Sequence, residues 1–533
     1  MKRLVSKVVA SEGVAIGRAY VVQRSNLPLK TIDAETSVDA AQQFKKALQQ
    51  STAELAALAD GSEIFAAHYA LIKDESLSES VMNYIANGSS ALDACRAACN
   101  DYVAMFEAID DEYLRERSAD VRDIFRRIEE NISGIHQNPF LDVKEGDILV
   151  ADELFPSDMA MVDFSKIAGF ITRRGSATSH ICIVARNANV VAVVGVEGVD
   201  EVQTGDMLIV DGELSSVFLN PTQQQMAMYR AKMKTFHEMA NNDNQTAHFA
   251  IVTPDGEKVS VYANAGSAAD VELAIALGAD GIGLLRSEFL FAGSDVQPTE
   301  EQQYEAYLAA AKACDGRPLT IRTLDVGGDK SLPYIDIPRE DNPFLGYRAI
   351  RISLDEEQMF CRQMRAILRA STEGNIRIMF PMITTIEELR QAKMLLDRCR
   401  KELSDEGANF DKSLKVGVMI ETPAAVMIAR ELAAECDFFS IGSNDLTQYV
   451  MAADRTNPKV ASLYDSKNLA VMRAIEYVIR TARMCGIDCS ICGELASDKS
   501  VTMELFGYGL RTFSVNLGAV GRIKSTLLKG LGR

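Results

Sequence analysis

The segment Gly175-Ser176-Ala177-Thr178-Ser179-His180-Ile181-Cys182-Ile183-Val184-Ala185-Arg186 sets one histidine between small residues and an apolar run. An apolar strand, Ile167 to Thr172, leads into it, and the run after it reads as a helix. Small residues let a ligand approach the backbone closely. A helix start offers free N–H groups and a partial positive charge. Imidazole titrates near neutral pH, so the neutral form of His180 is an available nucleophile, well placed to carry a phosphoryl group. A histidine that only caps a helix fits the same residues.

A second set of reactive residues lies downstream. It comprises Leu285-Arg286-Ser287-Glu288-Phe289, the run from Arg322 through Asp325 to Lys330, and Asn342-Pro343-Phe344-Leu345-Gly346-Tyr347-Arg348. Glu421-Thr422-Pro423, Gly442-Ser443-Asn444-Asp445 with Arg455 beyond it, and Cys492-Gly493-Glu494-Leu495 complete it. Arginine matches phosphate and carboxylate groups with bidentate geometry. Glu421 and Asp445 can share one hard divalent cation, and Mg2+ favours one or two carboxylates with further oxygens from a substrate. A small, doubly anionic phosphorylated acid suits such a set. The plain alternative is arginine–carboxylate pairs that stabilise loops. Cys492 reads either as a small buried hydrophobe or, in an anion site, as a proton donor.

These residues need elements that bring them together. Each group follows an apolar run: Val259 to Asn264, Gly281 to Glu288, Leu319 to Val326, Ile376 to Met382, Val416 to Thr422, Phe438 to Leu446, Cys489 to Leu495 and Thr512 to Asn516. Longer helical segments alternate with them. Eight strands with intervening helices predict a (β/α)8 barrel, whose active site is built at the C-terminal strand ends. Upstream, residues 3 to 24 read as two short strands, and 38 to about 128 as a polar helical block with one apolar stripe per helix. Strands return at Gly146 to Val150, Ile167 to Thr172, Val190 to Val194, Met207 to Asp211 and Ser216 to Leu219. The strands on both sides of the helical block are expected to form one domain with the block inserted. Thr222 to about Asn244 reads as a Met-rich linker helix.

The 533 residues suit three or four domains, with 47% hydrophobic and 25% charged residues as in ordinary globular proteins. A net charge of −19 argues against non-specific nucleic-acid binding and suits a basic protein partner. No apolar run is long enough to span a membrane, and the N-terminus reads as a first strand, not a signal peptide. Ten scattered cysteines point to a reducing, cytoplasmic setting. Cys485-x3-Cys489-x2-Cys492 has the spacing of an iron–sulfur motif, but positions three apart on a strand face opposite sides.

Asp437-Phe-Phe-Ser-Ile-Gly-Ser-Asn-Asp-Leu-Thr-Gln-Tyr449, Asn342-Pro-Phe-Leu-Gly-Tyr-Arg-Ala-Ile-Arg351, Cys492-Gly-Glu-Leu495, Thr178-Ser-His180 and the helical segment Asp110 to Asp123 together carry a resemblance. Over nearly its whole length the chain resembles the enzyme I family of the bacterial sugar phosphotransferase system, the phosphoenolpyruvate-protein phosphotransferases. The resemblance implies an α/β multidomain chain: a swivelling α/β phosphohistidine domain with an inserted helical bundle, followed by a (β/α)8 barrel. The implied domains are a discontinuous phosphohistidine domain at 1–24 and 143–221, a helical carrier-protein-binding domain at 25–142, a linker helix at 222–246, and a phosphoenolpyruvate-binding barrel at 247–533. It implies that phosphoenolpyruvate binds with Mg2+ on Glu421 and Asp445. His180 attacks phosphorus, and Cys492 protonates the enolate to pyruvate. Arg286, Arg322 and Arg455 match phosphate-binding arginines, with Arg348 and Asn444 in the same site. His180 then passes the group to an HPr-like phosphocarrier protein docked on the helical block, and the protein is a homodimer through the barrel.

Departures from the family pattern carry expectations too. Ser176 stands where a second glycine is usual, and Ile181 where threonine is frequent, which removes a hydroxyl beside the imidazole. Residues 64 to 76 hold fewer carboxylates than is usual, which bears on whether the HPr-like partner is ordinary HPr. The chain stops at Arg533, soon after the eighth strand, where the family usually continues into further helices, and this bears on dimerisation. Pyruvate phosphate dikinase and phosphoenolpyruvate synthase share the histidine domain and barrel, but they need an ATP-binding region that has no counterpart here. A non-catalytic regulatory relative that only binds a carrier protein is the remaining alternative.

Overall fold

The computed structural model describes residues 2–6, 8–11, 13–22, 37–59, 63–107, 112–135, 138–175, 181, 182, 185, 190–292, 296–328, 332–338, 340–455, 457 and 459–532. Ser176 to His180, Asp110, Asp111, Asp329 and Lys330 lie outside these residues. The chain divides into two compact units, 1–239 and 240–533.

The first unit opens with three strands, β1 Lys2–Val5, β2 Val8–Ser11 and β3 Val14–Val21. Two were expected. The chain breaks not only at Gly13, at φ 121°, but also between Val5 and Val8, where Ser6 bonds to both flanks, so the first stretch divides into β1 and β2. Five helices follow: α1 Ser37–Ala59, α2 Glu63–Ile72, α3 Glu75–Ala86, α4 Ala91–Glu107 and α5 Glu112–Ser133. They enclose a core of Phe44, Leu55, Val81, Ile85, Ile124, Phe125 and Ile128 among others. Then come β4 Asp147–Ala151, β5 Ile167–Thr172, β6 Val191–Val194, β7 Met207–Asp211 and β8 Ser216–Leu219.

All eight strands form one sheet in the order β1-β8-β7-β3-β4-β5-β6-β2. Strands β3 and β4 are hydrogen-bonded parallel neighbours, so the helical block is inserted between two adjacent strands. Ile148 and Leu149 face different apolar layers, as do Ile171 and Phe170, so both faces of the central strands are buried. The sheet cannot be flat. Val5 and Val8 lie three residues apart, a reach of at most ~11 Å, yet β1 and β2 sit at opposite edges of a sheet whose seven strand spacings would span ~34 Å if flat. The sheet is therefore rolled until its edges approach. Ser6 marks the seam: its N–H donates to Ser215 O (2.9 Å) beside β8, and its Oγ donates to Val194 O on β6. Ile181, Cys182 and Ala185, after the histidine segment, are helical.

The second unit holds the short β9 Ile251–Val252 and then β10 Lys258–Ala265, β11 Ile282–Leu285, β12 Pro318–Arg322, β13 Asn375–Phe380, β14 Lys415–Ile420, β15 Phe438–Gly442, β16 Asp488–Cys492 and β17 Thr512–Val515. Strands β10 to β17 are parallel, and β17 pairs with β10 to close an eight-stranded barrel. All eight expected strands are present, but several end sooner than their apolar runs. Leu324, Val326 and Leu495 are buried beyond the strand ends, and Leu446 lies in the helix Ser443–Met451. Burial at the rim extends the apolar pattern without extending the strand.

The last helix, Val520–Gly530, packs Val520, Ile523, Leu527 and Leu528 into the barrel core. Its buried Lys524 donates to Gly278 O (2.8 Å) and to Asp280 Oδ1 (2.9 Å) just before β11. Asp280 also accepts from Val261 N–H (2.8 Å) on β10. Removing the ammonium leaves a carboxylate short of its partner inside the fold. Lys524→Met is expected to destabilise the barrel by about 3 kcal/mol, read as a lower denaturant midpoint; an unchanged midpoint would show that the pair contributes nothing net.

Candidate active site at the barrel rim

Parallel strands point every C-terminal end the same way, so the residues after β11, β12, β14, β15 and β16 share one rim. Arg322, the last residue of β12, is buried. Its Nη2 donates to Glu288 Oε1 (2.6 Å) after β11, and its Nη1 pairs with Asp325 Oδ2 (2.8 Å). Asp325 Oδ1 pairs in turn with Arg348 Nη2 (3.0 Å), which lies 3.6 Å from Asp445 Oδ2 after β15. Arg348 Nη1 donates to Tyr449 OH (3.1 Å), whose hydroxyl donates to Phe344 O. The result is an alternating chain of charge, Glu288–Arg322–Asp325–Arg348–Asp445, across the rim.

Glu421 directly follows β14 and is 1% exposed. Met382 N–H donates to its Oε1 (2.7 Å). Met382 holds φ 55°, a conformation uncommon outside glycine. A Cβ at Gly442 would stand 2.6 Å from Glu421 Oε2, so the glycine makes room for the carboxylate. Burial first, then the Asp445 and Asp325 carboxylates, push Glu421 well above the usual carboxylate range against the opposing arginines. Glu288, Asp325, Glu421 and Asp445 place four carboxylates against the two buried guanidiniums of Arg322 and Arg348. Asp445 Oδ1 is buried with no hydrogen-bond partner. An excess of buried carboxylate and an orphaned oxygen are what a hard divalent cation would satisfy, so Glu421 and Asp445 fit Mg2+. Among the described residues no cluster of three or more His, Cys, Asp or Glu forms a complete metal cage.

Cys492, the last residue of β16, is buried against Leu284, Met379, Met419 and Phe438. Its thiol lies 3.4 Å from Ile441 O and 3.7 Å from Ser440 Oγ. Burial pushes it up to about 11, with Ser440, Arg322 and Arg286 acting in the other direction. Asn444 accepts from Glu494 N–H (3.0 Å) through its side chain and from Tyr464 OH (3.1 Å) through its carbonyl. Arg455 is exposed; its backbone N–H donates to Gln448 Oε1 (3.3 Å) and its side chain reaches Tyr464. Arg286 is exposed just after β11.

The structure therefore brings Arg322, Arg348, Glu421 and Asp445 into one ion network, with Cys492 beside it and Arg286, Asn444 and Arg455 on the same rim. His180 lies outside the described residues. Sequence reasoning gave no role to Glu288, Asp325, Ser440, Tyr449 or the Met382 amide. Glu288 and Asp325 had a signal: each stands close to an arginine in a run already singled out. Ser440 and Tyr449 lie in the run Asp437 to Tyr449, but nothing in it shows their partners: Ser440 meets Cys492 on the neighbouring strand and Tyr449 meets Arg348 from the segment after β12.

Family models describe the chain in three parts: a PEP-utilising enzyme N-terminal region at residues 8–117, a PEP-utilising enzyme mobile domain at 143–214, and a PEP-utilising enzyme PEP-binding domain at 240–530. The barrel and its charged rim thus define a phosphoenolpyruvate-utilising enzyme. The phosphoenolpyruvate-protein phosphotransferase of Staphylococcus carnosus is 40% identical, covering 98% of this chain and 93% of that protein. Its namesake from Haemophilus influenzae is 41% identical over the same shares. At this identity and coverage the chain belongs to the phosphoenolpyruvate-protein phosphotransferase family.

A thiol raised to about 11 is protonated at neutral pH. Alkylation needs the thiolate. Iodoacetamide at pH 7.5 is therefore expected to modify Cys492 at least about tenfold more slowly than the exposed Cys485, and to speed up by about tenfold per pH unit toward pH 10. Equal rates at pH 7.5 would contradict a neutral thiol.

Proposed function

We propose that this enzyme moves the phosphoryl group of phosphoenolpyruvate onto its own His180 and then onto a histidine of an HPr-like phosphocarrier protein, the first step of sugar phosphotransferase phosphorylation. The observation that carries this reading is the rim network in which Arg322 and Arg348 are held by Asp325, beside the carboxylates of Glu421 and Asp445 and the buried Cys492 thiol. Arg286, Arg322 and Arg455 bind the phosphate, with Arg348 and Asn444 completing the anion site. Mg2+ on Glu421 and Asp445 supplies charge neutralisation when bound.

Phosphoryl transfer asks the protein mainly for positioning and electrostatic stabilisation. The neutral imidazole of His180 attacks phosphorus in line. The phosphorus–oxygen bond to the enol breaks and its electron pair stays on the enolate. Cys492 then gives its proton to the methylene carbon, and pyruvate leaves. A thiol kept neutral by burial suits this step, because a carbanion equivalent is a strong enough base to take its proton.

The reading includes the discontinuous phosphohistidine domain at 1–24 and 143–221, the carrier-binding helices at 25–142, the linker helix at 222–246 and the barrel at 247–533. It also includes a homodimer through the barrel and a cytoplasmic setting. The free state of all ten cysteines supports that setting. No helix among the described residues is long and apolar enough to cross a membrane.

Incubation with radiolabelled phosphoenolpyruvate and Mg2+, without ATP, is expected to give acid-labile, base-stable label that His180→Ala abolishes. Label that persists in this variant would remove His180 as nucleophile. A folded wild-type dimer that takes no label would instead favour a regulatory relative. Cys492→Ala is expected to slow pyruvate formation by about 10²-fold or more with little change in substrate affinity; unchanged turnover would end its role as acid.

A further inference from the structure

Away from the rim, the helices Glu357–Ala370 and Ile386–Asp405 pack on the barrel on either side of β13 in the chain. Each carries a cysteine toward the other. Cys399 is fully buried, and its thiol donates to Cys361 O at 3.7 Å. The two side chains are close enough to act on each other's ionisation. Cys361 is 7% exposed and lies at the solvent side of the pair, under a guanidinium: Arg398 Nη2 stands 2.9 Å from its sulfur. Arg398 is itself held by Glu357 Oε2 (3.0 Å) and lies 3.8 Å from Glu402 Oε1.

This arrangement differs from the other thiols. Burial pushes Cys95, Cys99, Cys314, Cys436, Cys489 and Cys492 up. Cys361 is instead drawn down, by the neighbouring Cys399 thiol and then by the Arg398 guanidinium 2.9 Å from its sulfur. A stabilised thiolate with a second thiol in reach is the arrangement of a redox-active pair. Nothing in the phosphoryl-transfer chemistry uses it.

We propose that Cys361 and Cys399 are a peroxide-reactive pair, with Cys361 as nucleophile and Cys399 as the thiol that resolves it into a disulfide between the two helices. The Cys361 thiolate attacks one oxygen of hydrogen peroxide. The O–O bond breaks and hydroxide leaves, giving a sulfenic acid. The Cys399 sulfur then attacks the Cys361 sulfur. The S–O bond breaks, the oxygen leaves as water with the Cys399 proton, and the S–S bond forms. Two electrons pass from the thiols to peroxide.

The test treats the reduced full-length protein with hydrogen peroxide at pH 7 for graded times. Free thiols are blocked with N-ethylmaleimide, and peptides are mapped by non-reducing mass spectrometry. A peptide pair joined through Cys361 and Cys399 is expected to accumulate before the exposed Cys485 is oxidised. Cys399→Ser is expected to stop at a sulfenic acid on Cys361 that dimedone traps. Arg398→Met is expected to slow oxidation of Cys361 about tenfold. Cys361 left free while Cys485 oxidises would overturn the proposal, and so would Cys361 oxidation without the cross-link in the wild-type chain. The wild-type time course decides this whether or not the variants fold.

Discussion

The C-terminal rim of the barrel rests on one carboxylate. Asp325 sits between Arg322 and Arg348 and pairs with both. Without it, two buried guanidiniums would face each other with reduced compensation, and buried charge is tolerated only when paired. From Asp325 the pairing spreads outward to Glu288 on one side and to Asp445 on the other. Strand ends that are far apart in sequence thus belong to one electrostatic unit. That unit holds more carboxylates than guanidiniums.

Backbone geometry reinforces this. Met382 and Ala349 are buried non-glycine residues at φ 55° and 52°. The first aims its amide at Glu421; the second follows Arg348 and donates to Val326 O (2.8 Å). Conformations of this kind are kept where surrounding contacts over-determine them, and they cluster at functional sites. Gln363 works from behind the rim. Its oxygen accepts from Leu324 N–H (3.0 Å), and its amide donates to Ser287 Oγ and Tyr307 OH. One neutral side chain thus ties the turns after β11 and β12 to the helix Glu300–Ala313.

Much of this was legible in the sequence, because a (β/α)8 barrel writes itself as repeated apolar runs with polar residues at one end of each. Arg322, Glu421, Asp445 and Cys492 stand at such ends. The strand limits were harder to read, since Leu324 and Leu495 are as buried as the strands that precede them. Contacts made across the barrel, such as Tyr449 to Arg348, leave no spacing to read. The cysteines show both sides of this. Cys485, Cys489 and Cys492 are close in sequence, yet they occupy an exposed helix end, a half-buried strand position and the buried rim. Cys361 and Cys399 are distant in sequence and meet only because consecutive barrel helices pack side by side.

The rolled sheet of the first unit has a mechanical meaning. An open eight-stranded sheet would present two unpaired edges, each a template for another chain. Here the edges are occupied by β1 and β2, which are joined by the shortest of links and fastened at Ser6 to both flanks. The first eleven residues therefore act as a clasp. Tension on the amino terminus would loosen both borders of the sheet together.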